Sequence, residues 1–411
     1  MRVALISGEY PPMRGGVADY TALLATSLTR FGVDVTVLTS SRVDMAFSTT
    51  TPPVFPWVEN WGTRVWKRVA DHVERLRPDV LHIQYQTGAF EMKVGVNLLP
   101  WLVRFWRGRP RVVVTFHDLK EPYLLPKMGR LRHVATHVLA AGADAVIATN
   151  PEDFIRLGGS KNDLKTDWRW GRRRLRAIPI GSNVPGHVPD GFDRTALRRL
   201  IGARDGDVLI AYFGFLHPSK GLDNLATAFE ALVRRGYPVR LLMIGASGGD
   251  SGGSNRRYEN QIRQQLDQPL VRGRVGWTGF LRAEDVSAHL RACDLCVLPF
   301  QEGVSLRHGT LIAAIVNHLP IVTTSRASDR GYGEFPELRD GVNAILVPPA
   351  DSQALGDAIE RVVADSALRE RLSAGVADLA TAFQWDAIAN RNLRLYQEIC
   401  HPGRGEAVHG L

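Results

Sequence analysis

The stretch Leu295-Cys296-Val297-Leu298-Pro299-Phe300-Gln301-Glu302-Gly303-Val304-Ser305-Leu306-Arg307-His308-Gly309-Thr310-Leu311 decides the fold class. Its first four residues are apolar without alternation, so the strand they predict is buried on both faces. Pro299 and Gly303 break that run, and a helix is expected to begin near His308. A doubly buried strand followed by a loop and a helix belongs to a parallel sheet covered by helices. Ligands of such sheets bind beyond the carboxyl ends of the strands, so the loops after strands are where chemistry is expected.

The pattern recurs on both sides. Apolar β-rich runs lie at residues 3–6, 35–38, 80–83, 112–116 and 145–148, and again at 209–213, 241–244, 321–323 and 344–347. Between them, Val17, Tyr20, Leu24 and Leu28 share one helical face, as do Leu222, Leu225, Phe229 and Leu232. The class is therefore α/β with doubly wound parallel sheets. A chain of 411 residues suits two domains of roughly 150–200 residues each. Ile180-Gly181-Ser182-Asn183-Val184-Pro185-Gly186 breaks both periodicities and runs on as a polar stretch to about residue 193, which places the boundary there. The Gly/Ser-rich run 245–254 is expected to be a surface loop, and the tail from 401 to be disordered.

No apolar run approaches the roughly 20 residues that cross a bilayer, and the N-terminus lacks the long apolar stretch of an export signal. Cys293 and Cys296 form a C-x-x-C without a second ligand pair, so core packing in a reducing cytoplasm is the expectation. The net charge of +9 is uneven. Residues 1–185 carry 26 Lys+Arg against 16 Asp+Glu, whereas residues 186–411 carry 25 against 26. The excess gathers with aromatics at Trp101-Leu102-Val103-Arg104-Phe105-Trp106-Arg107-Gly108-Arg109-Pro110-Arg111 and across residues 168–176. Trp with Arg suits peripheral contact with an anionic membrane. No groove-reading motif is present, so nucleic acid is not expected as a partner.

Four loops carry candidate chemistry. The first holds Gly15-Gly16 before a helix, where free amides and missing side chains admit a ligand. It is not the G-x-G-x-x-G of dinucleotide enzymes, which removes the main support for an oxidoreductase. The second ends a strand at His117, whose neutral imidazole suits a sugar hydroxyl; His82 and Gln84 end another strand, with His82 expected to point into the fold. The third runs from Gly214 through His217 to Lys220-Gly221 and suits a phosphate, with the lysine as point charge and a helix dipole behind it. The fourth is the opening stretch itself. There Glu302 suits sugar hydroxyls, and the amides of Gly303, Val304, Ser305, Leu306 and Arg307 are expected to cradle a diphosphate.

Together these loops resemble the family-4 retaining glycosyltransferases of the GT-B fold, over essentially the whole chain. The matching residues are Gly15-Gly16, His117, Lys220-Gly221 and Glu302-Gly303, supported by Val275-Gly276-Trp277-Thr278-Gly279-Phe280, Cys293-Asp294-Leu295-Cys296-Val297-Leu298-Pro299 and Phe383-Gln384-Trp385. The resemblance implies two Rossmann-like domains facing a central cleft. Residues 1–185 would bind the acceptor and 186–382 the donor. Residues 383–400 would form a helix crossing back to the first domain, and 401–411 a tail. It implies a nucleotide diphosphate sugar as donor, a saccharide or lipid-linked acceptor, and neither metal nor cofactor. Lys220 would neutralise the leaving diphosphate, Gly16 would give backbone access to it, His117 would contact the transferred sugar, and Glu302 would bind its hydroxyls. Gly279-Phe280 would lie near the base. Retention would come from front-face attack assisted by the departing phosphate.

Two positions depart from that pattern. Phe215 stands where the family carries Arg, and Thr310 where it carries the ribose-binding Glu. Arg307 is expected to replace the missing guanidinium, with Thr310 giving one hydrogen bond to ribose. The alternative function is a non-catalytic nucleotide-sugar-binding homologue or enzyme subunit.

Overall fold

The computed structural model describes residues 1–13, 15–43, 52–119, 132–159, 166–168, 173–245, 253–326 and 335–401. The chain divides into two compact units. The first holds Met1–Gly181, Gly331–Phe335 and the chain from Trp385 onward; the second holds Ser182–Arg330 and Pro336–Gln384.

In chain order the first unit contains β1 (Arg2–Ser7), α1 (Gly16–Arg30), β2 (Asp34–Ser40), β3 (Val54–Val58), α2 (Val65–Leu76), β4 (Val80–Tyr85), α3 (Gly95–Val103), β5 (Arg111–Phe116), α4 (Arg132–Gly142), β6 (Ala145–Ala148), α5 (Pro151–Arg156), β7 (Thr166–Trp168) and β8 (Arg173–Ala177). The second contains α6 (Arg194–Leu200), β9 (Val208–Phe213), α7 (Leu222–Arg234), β10 (Val239–Ile244), α8 (Gly253–Leu266), β11 (Val275–Trp277), α9 (Ala283–Ala292), β12 (Leu295–Leu298), α10 (Gly309–Val316), β13 (Ile321–Thr324), β14 (Ile345–Val347), α11 (Ser352–Ala364) and α12 (Ser366–Ala380). A last helix, α13 (Trp385–Cys400), belongs to the first unit.

The first sheet has the order β3-β2-β1-β4-β5-β6-β8-β7, parallel except for β7 against β8. The second is β11-β10-β9-β12-β13-β14, parallel throughout. In both, the strand order reverses beside the first strand, between β1 and β4 and between β9 and β12. Those reversals make the crevices where ligands of doubly wound sheets bind. The doubly apolar runs fit this arrangement: all six residues of β4 and all four of β12 are buried. Helix starts follow local chemistry. Asn150, Asp351 and Asp365 accept from amides of the first turns of α5, α11 and α12.

The last helix closes the first core. Ile388, Ala389, Leu395, Tyr396 and Ile399 pack into one cluster with Val3, Leu5, Leu24 and Leu28. Trp385 stands against Gly181, where a Cβ would overlap its indole. Arg174 and Arg176 of β8 each reach Glu398 Oε2 at 3.1 Å, so part of the basic stretch 168–176 is tied to this helix; residues 169–172 of it lie outside the described residues. Phe383 ends a short 3₁₀ turn in the second unit. The run 245–254 departs from the expectation of a loop at its end, because α8 already begins at Gly253; residues 246–252, like the tail from 402, are outside the description. Cys293 and Cys296 are buried, which pushes the Cys296 thiol up to about 12 and Cys293 upward as well.

Leu395 is 2% exposed in this cluster. Leu395→Ala should cost about 3 kcal/mol. That should lower the melting transition of the first unit by several degrees, read by scanning calorimetry. A change below one degree would show that α13 is not part of that core.

Candidate functional site

In the second unit the loops after β9 and β12 flank the reversal and interlock. Gly221, at φ 65°, is the left-handed link between the turn Pro218–Lys220 and α7. A Cβ there would overlap the Pro299 carbonyl oxygen, so only glycine lets the two loops meet this closely. The Gln301 amide then donates to Ser219 O at 3.0 Å. This contact places Lys220 Nζ 4.9 Å from the Phe300 ring centroid, and burial lowers the lysine pKa.

Phe300 in turn stacks on His308, with centroids 3.8 Å apart and planes at 19°. His308 caps α10: its carbonyl accepts from Leu311 and Ile312, and its Nδ1 accepts from the Ser305 amide at 3.2 Å. Burial, then the charges of Lys220 and Arg307, push its pKa down to about 3. The neutral ring therefore carries its proton on Nε2, as a donor. The sequence marks this histidine only as the start of a helix; its cap geometry is invisible in the order of residues.

The expected amide cradle needs correction. Gly303 donates to Phe300 O, Val304 to Thr324 O, Ser305 to His308 Nδ1 and Arg307 to Ser305 Oγ. Four of the five amides are thus engaged, three within the 300–308 loop and one by β13. Of the described amides between 303 and 310, those of Leu306, Gly309 and Thr310 have no protein partner, so the free donors gather at the first turn of α10 instead of along 303–307. Thr310 Oγ1 is also buried there without a partner. Its methyl group faces Gly214, where a Cβ would stand 3.3 Å away, which brings the β9 loop against the same turn. Gly245 bridges Gly279, and a Cβ on it would press the Gly214 carbonyl, so the glycines after β9, β10 and β11 line up. Phe280 is 72% exposed beside them. Glu302 and Arg307 are exposed, Val304 and Leu306 buried, and Phe215 turns to solvent while its carbonyl accepts from Tyr212.

Gly15, Gly16 and His117 lie in the first unit, at the carboxyl ends of β1 and β5. Gly15 precedes α1, and a Cβ on it would overlap the Glu9 carboxylate; in front of Gly16 nothing stands within 4 Å. Burial raises the Glu9 pKa, opposed by Arg42. The His117 amide extends the sheet to Tyr85 O at 2.9 Å, and its ring meets Tyr20 edge-on at 4.5 Å. Burial pushes its pKa down to about 3. Among the described residues no group of three or more His, Cys, Asp or Glu is placed to hold a metal ion.

Family models match a segment in each of the two units. The model for "Glycosyl transferase 4-like domain" matches residues 15–161 and that for "Glycosyl transferases group 1" matches 207–365. The chain belongs to this glycosyltransferase family, with the GT-B pairing of α/β domains. It is 28% identical over 437 positions to the D-inositol 3-phosphate glycosyltransferase of Saccharomonospora viridis, covering 99% of this chain and 96% of that one. Against the phosphatidyl-myo-inositol mannosyltransferase of Mycobacterium leprae the identity is 28% over 56% of this chain and 58% of that one. Among solved structures, Anabaena HepE in complex with UDP superposes with a TM-score of 0.70 at 18% identity, over 97% and 100% of the two chains.

Imidazoles near pKa 3 in the fold and 6.5 when unfolded bind fewer protons folded than unfolded between those values. Stability is therefore full above pH 6.5 and is lost as pH falls toward 3. His82, fully buried with its pKa also pushed down to about 3, accounts for about 2 kcal/mol of that loss at pH 5. Melting temperatures recorded from pH 7.5 to 5 should fall steadily below 6.5; a flat profile would contradict the neutral assignments.

Proposed function

We propose that the protein is a retaining, metal-independent transferase that moves a sugar from a nucleotide diphosphate sugar to a hydroxyl of a saccharide or phosphorylated cyclitol. One observation carries this reading: Lys220 is set against Phe300 beside His308, within the loops that also present the free amides of Gly309 and Thr310. That grouping supplies what a departing diphosphate requires, a cation and fixed donors at a helix N-terminus. In the step, the acceptor oxygen bonds to the anomeric carbon as the bond to the diphosphate breaks. The acceptor proton passes to the departing phosphate oxygen on the same face, which preserves configuration. His117 accepts from a hydroxyl of the transferred sugar, and Glu302 holds others. Arg307 stands in for the guanidinium absent at Phe215, His308 adds a neutral donor through Nε2–H, and Thr310 contacts ribose. The cysteine usage favours a cytoplasmic location.

The first test is a thermal-shift screen of UDP, GDP and ADP and their sugars in a chelating buffer. At a hundred times its Kd a ligand stabilises by about 2.7 kcal/mol. One nucleotide should raise the melting temperature, and Lys220→Ala should abolish the rise. No response from any of them would count against the transferase and leave the non-catalytic enzyme subunit as the reading.

A lipid-linked acceptor is the second reading, favoured by one surface. No helix of the described residues is long and apolar enough to cross a membrane. Leu98, Trp101 and Phe105, however, follow i, i+3, i+7 spacing along α3 and past its end, and all three are exposed, Phe105 by 85%. Phe105 also borders a cavity of about 1130 Å³ lined by Arg2, Arg77, Arg107, Arg109 and Arg111. Apolar side chains beside arginines suit the surface of an anionic bilayer. Vesicles containing phosphatidylglycerol should float the protein at low salt, with binding weakened roughly fivefold by Arg107→Ala. Equal flotation with neutral vesicles would remove this reading.

A further inference from the structure

A chain of buried polar groups crosses the interior of the first unit and ends at His117. Tyr396 of α13 meets His82 Nδ1 at 2.6 Å. His82 Nε2 lies 2.7 Å from Thr115 Oγ1 and 3.3 Å from Gln84 Nε2. Gln84 Oε1 lies 3.0 Å from His117 Nε2. His82, Gln84, Thr115 and Tyr396 are each fully buried. Such groups are costly inside a core unless every member has a partner, so the arrangement of protons is constrained from end to end.

With the Gln84 carbonyl oxygen turned to His117, one assignment satisfies all four contacts. The Gln84 carbonyl oxygen is an acceptor, so His117 must donate through Nε2–H. The Gln84 amide and the Thr115 hydroxyl then donate to His82 Nε2, which leaves His82 protonated on Nδ1 and donating to the Tyr396 oxygen. We propose that Tyr396, His82 and Gln84 act as positioning residues that lock His117 in the Nε2–H form, presenting Nδ1 as its acceptor toward a substrate hydroxyl. This role rests on the reading of His117 as the sugar contact. The lock is anchored on α13, so the last helix of the chain sets the hydrogen-bonding character of a residue on β5.

Two other described neighbours of His117 meet it or its loop in different ways. Tyr20 of α1 meets it through a ring edge, and Asp118, next in the loop, accepts from Gln86 at 3.3 Å. Burial keeps His117 neutral, so the native enzyme should show no ionisation of this residue between pH 5 and 9. A carboxylate in place of the Gln84 amide would favour imidazolium, which has no acceptor nitrogen.

The experiment is ¹H–¹⁵N spectroscopy of histidine-labelled full-length protein, with pH–rate profiles of the same samples. Native His117 should appear as the Nε2–H form and His82 as the Nδ1–H form. In Tyr396→Phe, which keeps the ring and its packing, His82 should lose that single form and kcat should fall about tenfold with KM for the donor within about twofold. In Gln84→Glu, activity should acquire an acid limb between pH 6 and 8 that the native profile lacks. Native His117 protonated on Nδ1, or histidine signals unmoved in both variants, would overturn the proposal. Turnover of His117→Ala within about twofold of native would instead withdraw the sugar-contact reading on which it rests.

Discussion

The close approach of two loops in the second unit governs most of what its site can do. Gly221 sits against the Pro299 carbonyl in a left-handed conformation that side-chain-bearing residues resist. Because the backbones touch, the turn carrying Lys220 cannot drift from the turn carrying Phe300, and Phe300 in turn fixes the ring of His308. His308 then starts α10 and leaves two amides of its first turn unengaged. One steric fact at one glycine thus orders a cation, a stacked pair and a helix end.

Much of this architecture is written in the apolar runs. Strands such as 80–85 and 295–298 are buried on both faces, and a chain that alternates them with helices has few alternatives to a doubly wound sheet. Gly221 and Lys220 are also readable, since a Lys-Gly pair before a helix is a local signal. The state of the amides after Glu302 is not local. Whether Val304 donates to Thr324 or to a ligand depends on where β13 lies, and no spacing within 303–307 reveals it. His308 escapes notice for the same reason, because its importance comes from Phe300 and Lys220 arriving from elsewhere. Gln84 and His82 look like lapses in an apolar strand until Tyr396, 314 residues away from His82, supplies the partner that accounts for them.

The two departures from the family pattern have different structural meanings. Phe215 faces solvent and contributes its carbonyl to Tyr212, so the position is a backbone anchor with an idle side chain. Thr310 is the opposite case. Its hydroxyl is buried and unsatisfied, which a core tolerates poorly unless some partner completes it.

The return of α13 to the first unit has a consequence for how the protein comes into being. The cluster around Leu24 and Leu28 is open along one side until Ile388 through Ile399 are in place, and those residues leave the ribosome about 220 residues after Gly181. At typical synthesis rates that interval is on the order of ten to forty seconds. Throughout it, the second unit can complete its own sheet while the first waits with apolar surface uncovered. Fragments that stop short of α13 leave His82 facing a void where Tyr396 belongs. The first unit is therefore finished only after the whole of the second has been translated, so the order in which the two units fold is set by the path of the chain.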